Sequence, residues 1–112
     1  MDYYITMDIK RAKLQRLLME ELAELILKKM KDPRLSSVVI TQVELSQDMK
    51  RAKVYFTTLE EGKEEEAKKA FDHASTLIRA ELLKRLRIRR LPELQFIFDR
   101  ELKRMERIWE RL

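Results

Sequence analysis

The hydrophobic period of this chain changes along its length, and each change limits the kind of element that can form there. Leu14, Leu18, Leu22 and Leu25 recur at three- and four-residue spacing with charged residues between them. That spacing predicts one long amphipathic helix from near Asp8 to Lys31. Asp32-Pro33 ends it, because proline disfavours the helical conformation in the residue before it. The period then drops to two. Val39, Thr41, Val43 and Leu45 alternate with Ile40, Gln42 and Glu44, and Ala52, Val54, Phe56 and Thr58 alternate with Lys53, Tyr55 and Thr57. Each run reads as a strand with one buried face. The short turn-like connection Ser46-Gln47-Asp48-Met49 makes the two an antiparallel hairpin.

Helical spacing returns after Gly62, the only glycine, where Lys63-Glu64-Glu65-Glu66 places acids at a helix start. Ala67, Ala70, Phe71, Ala74, Ile78, Leu82 and Leu86 keep that spacing, and no Gly or Pro interrupts the chain from Lys63 to Arg90. A straight helix of that span is ~42 Å long at about 1.5 Å per residue. A spherical domain of this size is only ~34 Å across. A bend or break is therefore expected at Ala74-Ser75-Thr76, where side chains are small and two hydroxyls compete for backbone hydrogen bonds. Leu91-Pro92 closes the helical stretch, and Leu94-Gln95-Phe96-Ile97-Phe98 reads as a short strand. Leu102, Met105, Ile108, Trp109 and Leu112 then return to helical spacing, as a short terminal helix. The result is an α+β layout, three strands covered on one face by helices. It divides into a leader over residues 1–8, a domain over residues 9–99 and an amphipathic helix over residues 100–112.

Composition narrows the function classes. At 112 residues and 45% hydrophobic content the chain is one globular domain's worth. The absence of Cys removes disulfide scaffolds, thiolate metal sites and cysteine nucleophiles, and fits a reducing compartment. The leader Met1-Asp2-Tyr3-Tyr4-Ile5-Thr6-Met7 has no basic start and no long apolar run, so no export signal is read there and a cytoplasmic protein is expected. His73 is the sole histidine, which leaves no His-based metal site and fits a helix-surface or core residue. Ser46, Asp48 and His73 lack the glycines of a nucleophile elbow, and a single Gly cannot build a phosphate-cradling loop. No catalytic residue, metal or cofactor is expected. The abundance of Glu, Lys and Arg has a thermophilic cast.

The net charge of +5 favours a polyanionic partner, although many proteins this basic bind none. Arg79, Lys84, Arg85, Arg87, Arg89 and Arg90 fall within twelve positions, opposed there only by Glu81. Complementing a helix dipole explains two or three of them. Arg87, Arg89 and Arg90 sit at or past the expected helix end, placed to meet phosphates or stack on bases. Lys50, Arg51 and Lys53 form a second patch, with Tyr55 on the outward face beside Lys53. That pattern suits contact with an RNA backbone and base, and equally an ordinary solvent-facing strand. Two other classes stay open: a protein-interaction module docking through the Leu102 to Leu112 stripe, and a small enzyme holding an anionic metabolite with its arginines.

An ordered series of segments narrows the choice. Asp32-Pro33-Arg34-Leu35 is followed by Ile40-Thr41-Gln42-Val43-Glu44-Leu45-Ser46-Gln47-Asp48 and Ala52-Lys53-Val54-Tyr55. Then come Ala74-Ser75, Ile78-Arg79, Leu86-Arg87-Ile88-Arg89 and Leu91-Pro92-Glu93-Leu94-Gln95-Phe96-Ile97-Phe98-Asp99. In that order and spacing, over roughly Ile9 to Asp99, the chain resembles the bacterial ribosome-binding factor A family. The resemblance implies a type II KH-like domain, helix-strand-strand-helix-kink-helix-strand, with an Ala-x-Gly-type interhelical kink in place of a Gly-x-x-Gly loop. The kink maps to Ala74, Ser75 and Thr76, with Thr76 where glycine is usual. It further implies a monomeric, non-enzymatic assembly factor that binds the free 30S subunit and supports late maturation and 5′-end processing of 16S rRNA. The resemblance also implies a role strongest in the cold, and release aided by an assembly GTPase.

Overall fold

A computed structural model describes residues 2–101, with side chains from residue 9 onward. Helix α1 spans Asp2–Lys28, and a single 3₁₀ turn follows at Pro33–Leu35. Strands β1 (Val38–Leu45) and β2 (Arg51–Thr58) form the hairpin, helix α2 spans Glu64–Leu86, and β3 is Glu93–Phe98. The three strands make one mixed sheet in the order β1-β2-β3, antiparallel between β1 and β2 and parallel between β2 and β3. The α+β layout expected from the periodicity is therefore present. The terminal helix expected over residues 100–112 lies, beyond Glu101, outside the described residues, as does the apolar stripe from Leu102 to Leu112.

Both helices cover the sheet face that carries Ala52, Val54 and Phe56. Leu18, Leu22 and Leu25 of α1 and Ala67, Ala70, Phe71, Ile78 and Leu82 of α2 are fully buried in one core with that face. All four phenylalanines of the chain join there. Phe56 meets Phe71 edge-on at 5.1 Å and Phe98 at 5.6 Å, while Phe71 stacks on Phe96 at 4.1 Å. Such pairs add about 0.5–1.5 kcal/mol each beyond area burial. They pin α2 across β2 and β3, which fixes where the end of α2 emerges.

Two expectations need correction. The break at Ala74-Ser75-Thr76 is absent, because α2 is one unbroken helix from Glu64 to Leu86. Its 23 residues measure about 34 Å. The domain is elongated, 49 × 34 × 18 Å, so the spherical premise that demanded a break does not hold. Thr76, unlike glycine, also lacks easy access to the backbone angles of a sharp bend.

The second correction concerns β1. Val39 pairs with Thr57 and Ile40 with Phe56, but the next partners are Gln42 with Tyr55, so Thr41 is an inserted residue. A bulge of this kind reverses the alternation on either side of it. Ile40, Val43 and Leu45 are buried, whereas Val39, read as inward, is turned out and 40% exposed. The Thr41 hydroxyl donates to Asp99 Oδ2 at 2.8 Å, a bond made by residues from opposite edges of the sheet.

Candidate nucleic-acid interface

The hairpin turn is built by local hydrogen bonds. The Met49 N–H donates to the Ser46 carbonyl at 3.0 Å. Asp48 Oδ1 accepts from Ser46 Oγ at 2.7 Å and from the Lys50 N–H at 3.0 Å. Those bonds, the Ser46 hydroxyl foremost, hold the Asp48 carboxyl below the ordinary aspartate range. Met49 takes a left-handed φ of 60° and tucks its side chain against the core. The turn is thereby fixed, and Lys50 and Arg51 are left exposed at its exit.

At the end of α2, Arg87 takes the left-handed conformation, φ 53° and ψ 41°, and its N–H donates to the Leu83 carbonyl at 3.1 Å. Glycine is the usual residue at such a cap. The chain then runs through Ile88, which packs on the core, while Arg87, Arg89 and Arg90 stay exposed. Buried Leu91 and Pro92 bring it back to the sheet.

These two segments, far apart in sequence, meet. β3 runs parallel to β2, so its first residue Glu93 lies opposite Arg51, and the Glu93 N–H donates to the Lys50 carbonyl at 2.8 Å. One end of the sheet therefore carries Lys50 and Arg51 beside the loop that bears Arg89 and Arg90. A groove of about 690 Å³ opens there, lined by Ser46, Arg51, Lys53, Glu93 and Gln95 among others. Lys53 and Tyr55 share the outward face, as expected, with Tyr55 half-buried and its hydroxyl 3.5 Å from Glu44. Arg79 lines a neighbouring groove between α2 and β3, together with Lys68, Ser75 and Glu93.

Ion pairing separates the candidate cations. Arg85 is only 23% exposed and faces Glu21 at 3.2 Å, with Glu24 and Glu81 each at 3.8 Å. It ties α2 to α1 and is not offered to a ligand. Lys50, Arg51, Lys53, Arg79, Lys84, Arg87, Arg89 and Arg90 are all exposed, and none has an ion pair among the described residues. Elsewhere Arg16, Lys28, Lys29, Arg34, Lys63, Lys68 and Arg100 are each held by a carboxylate. Lys10, Lys13, Lys31 and Lys69 are also exposed without an ion pair among the described residues, but it is around the hairpin exit and the last turn of α2 that such cations from separate segments come together.

Helix α1 adds residues that sequence reasoning missed. Leu45 N–H donates to Gln15 Oε1 at 2.9 Å, so the first half of α1 lies beside the hairpin. Arg11 lines a groove there with Ser46 and Gln47, and Lys10 and Lys13 are exposed on the same stretch of helix. Their signal was the clustering of three cations, Lys10, Arg11 and Lys13, within four positions. Ala74 is half-buried, while Ser75 and Thr76 are exposed on the middle of α2.

The remaining candidates for chemistry are structural. Arg34 grips Asp32 with paired hydrogen bonds, the shortest 2.6 Å, and these bonds hold the Asp32 carboxyl below its ordinary range. The same guanidinium lies 3.1 Å from His73 Nδ1, which places the sole histidine on the helix surface as an acceptor. Among the described residues no cluster of three or more His, Asp or Glu could hold a metal ion. No described helix is long and apolar enough to cross a membrane.

A family model described as ribosome-binding factor A matches residues 10–112. The chain belongs to the ribosome-binding factor A family. A member from Thermodesulfovibrio yellowstonii is 43% identical over 100 residues, covering 88% of this chain and 85% of that one. The crystal structure of the Thermus thermophilus member superposes with a TM-score of 0.70 at 36% identity, over 79% of this chain and 93% of that one. A homology model of the Thermus protein, fitted into a cryo-EM map of its complex with the 30S subunit, matches at 0.67 with the same identity and coverage. Membership fits the observed element order.

Proposed function

We propose that this protein binds the free 30S ribosomal subunit late in its assembly and assists maturation and 5′-end processing of 16S rRNA, without catalysing a reaction itself. The observation that carries the reading is the junction of Lys50 and Arg51 with the Arg87–Arg90 loop through the Glu93–Lys50 hydrogen bond. Exposed cations without internal partners break no ion pair when they meet phosphates, so their attraction to RNA is not offset within the protein. Arg87, Arg89 and Arg90 add planar guanidinium groups able to fork onto phosphate or stack on a base. Lys53 and Tyr55 extend the surface onto the open sheet face. Family membership supports the choice of ribosomal RNA over other polyanions. We further propose that it acts in the cytoplasm as a monomer whose release an assembly GTPase assists.

Co-sedimentation with purified small subunits, large subunits and whole ribosomes tests the proposal. Selective association with free small subunits is expected, weakening steeply as salt rises. Binding to none of the three would overturn it. The processing role is read separately, from accumulation of precursor 16S rRNA with an unprocessed 5′ end in cells depleted of the protein.

A further inference from the structure

Five large apolar side chains are exposed among the described residues, and three of them, Leu27, Val39 and Leu59, stand at one corner of the domain. Leu27 of α1 and Val39 of β1 line an apolar groove with Ala23, Ile26, Leu35 and Val38. Leu59 follows β2, and its N–H donates to the Ser37 carbonyl at 2.9 Å, which places it beside the start of β1. Leu27 is 81% exposed and Leu59 74%. Single exposed leucines are ordinary, but a contiguous apolar patch marks a docking surface. Val39 pairs with Thr57, which is buried on the sheet face opposite the helices, its hydroxyl without a hydrogen-bond partner among the described residues.

The chain leaves β3 at this same end of the sheet. Phe98, the last residue of β3, lies beside Phe56, and Val38, the first of β1, lies beside Thr58. Two contacts fix the departure: Asp99 accepts from Thr41 of β1 across β2, and Arg100 is held by Glu64 at 2.6 Å. Beyond them Leu102, Met105, Ile108, Trp109 and Leu112 are spaced to share one helical face. β3 and β1 lie two strand spacings apart, about 10 Å. A helix over residues 102–112 is about 16 Å long, enough to start at the end of β3, pass β1 and reach α1. Tethered so near, the stripe meets this corner at a far higher effective concentration than a second copy can supply. We infer that residues 102–112 fold back as an amphipathic helix over Leu59, Val39 and Leu27, seating their apolar stripe in the groove between α1 and β1. Lys103, Arg104, Glu106, Arg107, Glu110 and Arg111 are then left to solvent. The hairpin exit lies at the other end of β2, so the seated segment leaves Lys50 and Arg51 open, whatever they bind.

Trp109 is the only tryptophan, so its fluorescence reports on the segment in the full chain. Its emission is expected at short wavelength and shielded from acrylamide, independently of protein concentration. Leu27→Glu, Val39→Glu and Leu59→Glu each replace an exposed side chain, so the fold should persist by circular dichroism. Each is expected to move the emission to longer wavelength and to open the indole severalfold to quenching. Leu77→Glu, exposed on α2 and outside the groove, should change neither. An indole already open in the parent, or one that ignores the three corner substitutions, would overturn the docking. Shielding that disappears on dilution would give the groove to a second copy and overturn the fold-back. The chain also has no Cys, which allows a measurement that spares the apolar contacts. Ser36→Cys, at the groove, combined with Arg111→Cys is expected to close within one chain under a short bismaleimide. Ser75→Cys, on the middle of α2, combined with Arg111→Cys should not close. Closure of the second pair in preference to the first would place the segment elsewhere and overturn the inference.

Discussion

The Glu93 N–H donates to the Lys50 carbonyl at 2.8 Å, and this one backbone bond joins the exit of the hairpin to the exit of α2. Basic residues from two sequence regions then form one surface. Reversal of Lys50 and Arg51 to Glu, or of Arg89 and Arg90 to Glu, is expected to weaken small-subunit binding in either case. The slope of log affinity against log salt should become shallower by about 0.7–0.9 for each phosphate that is no longer neutralised. Co-sedimentation over a salt series checks this. If one pair can be reversed with no change in slope, that segment is not part of the interface.

Arg85 and Arg89 stand close in sequence and are expected to behave oppositely. Arg85→Ala removes the ion pairs to Glu21, Glu24 and Glu81, so it should lower unfolding stability by about 1 kcal/mol. Subunit affinity of the folded variant should hold. Arg89→Ala removes no ion pair and should leave thermal unfolding unchanged while weakening association. Calorimetry and co-sedimentation on the same two variants separate the roles.

The elements were legible because their apolar periods are local, and burial followed them through α1, β2 and α2. The bulge at Thr41 was not, because it is coupled to Asp99, a residue on the far side of the sheet. Nor was the unbroken run of α2, since the demand for a bend or break came from an assumed spherical shape and the small and hydroxyl side chains at Ala74-Ser75-Thr76 only suggested where to put it. At the candidate site the set of cations was readable, but their availability was not. Arg85 and Arg87 look equivalent in one dimension. Only the placement of α1 puts the carboxylates of Glu21 and Glu24 beside the first and not the second. Arg11 escaped notice for the same reason, since its nearness to Ser46 is purely tertiary.

Arg87 sits where a glycine is the economical choice. An L-residue in the left-handed region costs roughly 1–2 kcal/mol, and glycine at this cap avoids it at the expense of a more flexible unfolded chain. Arg87→Gly is therefore expected to stabilise the fold by about 1 kcal/mol, a rise in Tm of roughly 4–8 °C. It should also weaken binding to small subunits, because the guanidinium is gone. Arg87→Ala removes the same group without relieving φ, and should weaken binding with no gain in Tm. A variant that gains stability and binds as well as the parent would mean that Arg87 does not touch RNA.

Glu81 gives the fold an acid dependence whose sign can be worked out. It is 8% exposed on the α1-facing side of α2, and Lys29 Nζ donates to it at 2.9 Å. That hydrogen bond is the largest influence on its carboxyl, which is held below the ordinary glutamate range despite burial. A group whose pKa is lower in the folded state binds fewer protons there than in the unfolded chain. The stability it contributes is complete above the unfolded-state glutamate pKa, and it is lost as pH falls through the folded-state value. Denaturant unfolding measured from neutral pH downward should show stability declining through that acidic window. Glu81→Gln keeps the shape but not the charge, so it should lower stability at neutral pH and flatten the decline. Asp32 and Asp48 are shifted in the same direction by their own partners, so some acid dependence should survive in the variant. If Glu81→Gln leaves the pH profile of stability superimposable on that of the parent, the Lys29–Glu81 pair does not help hold α1 against α2.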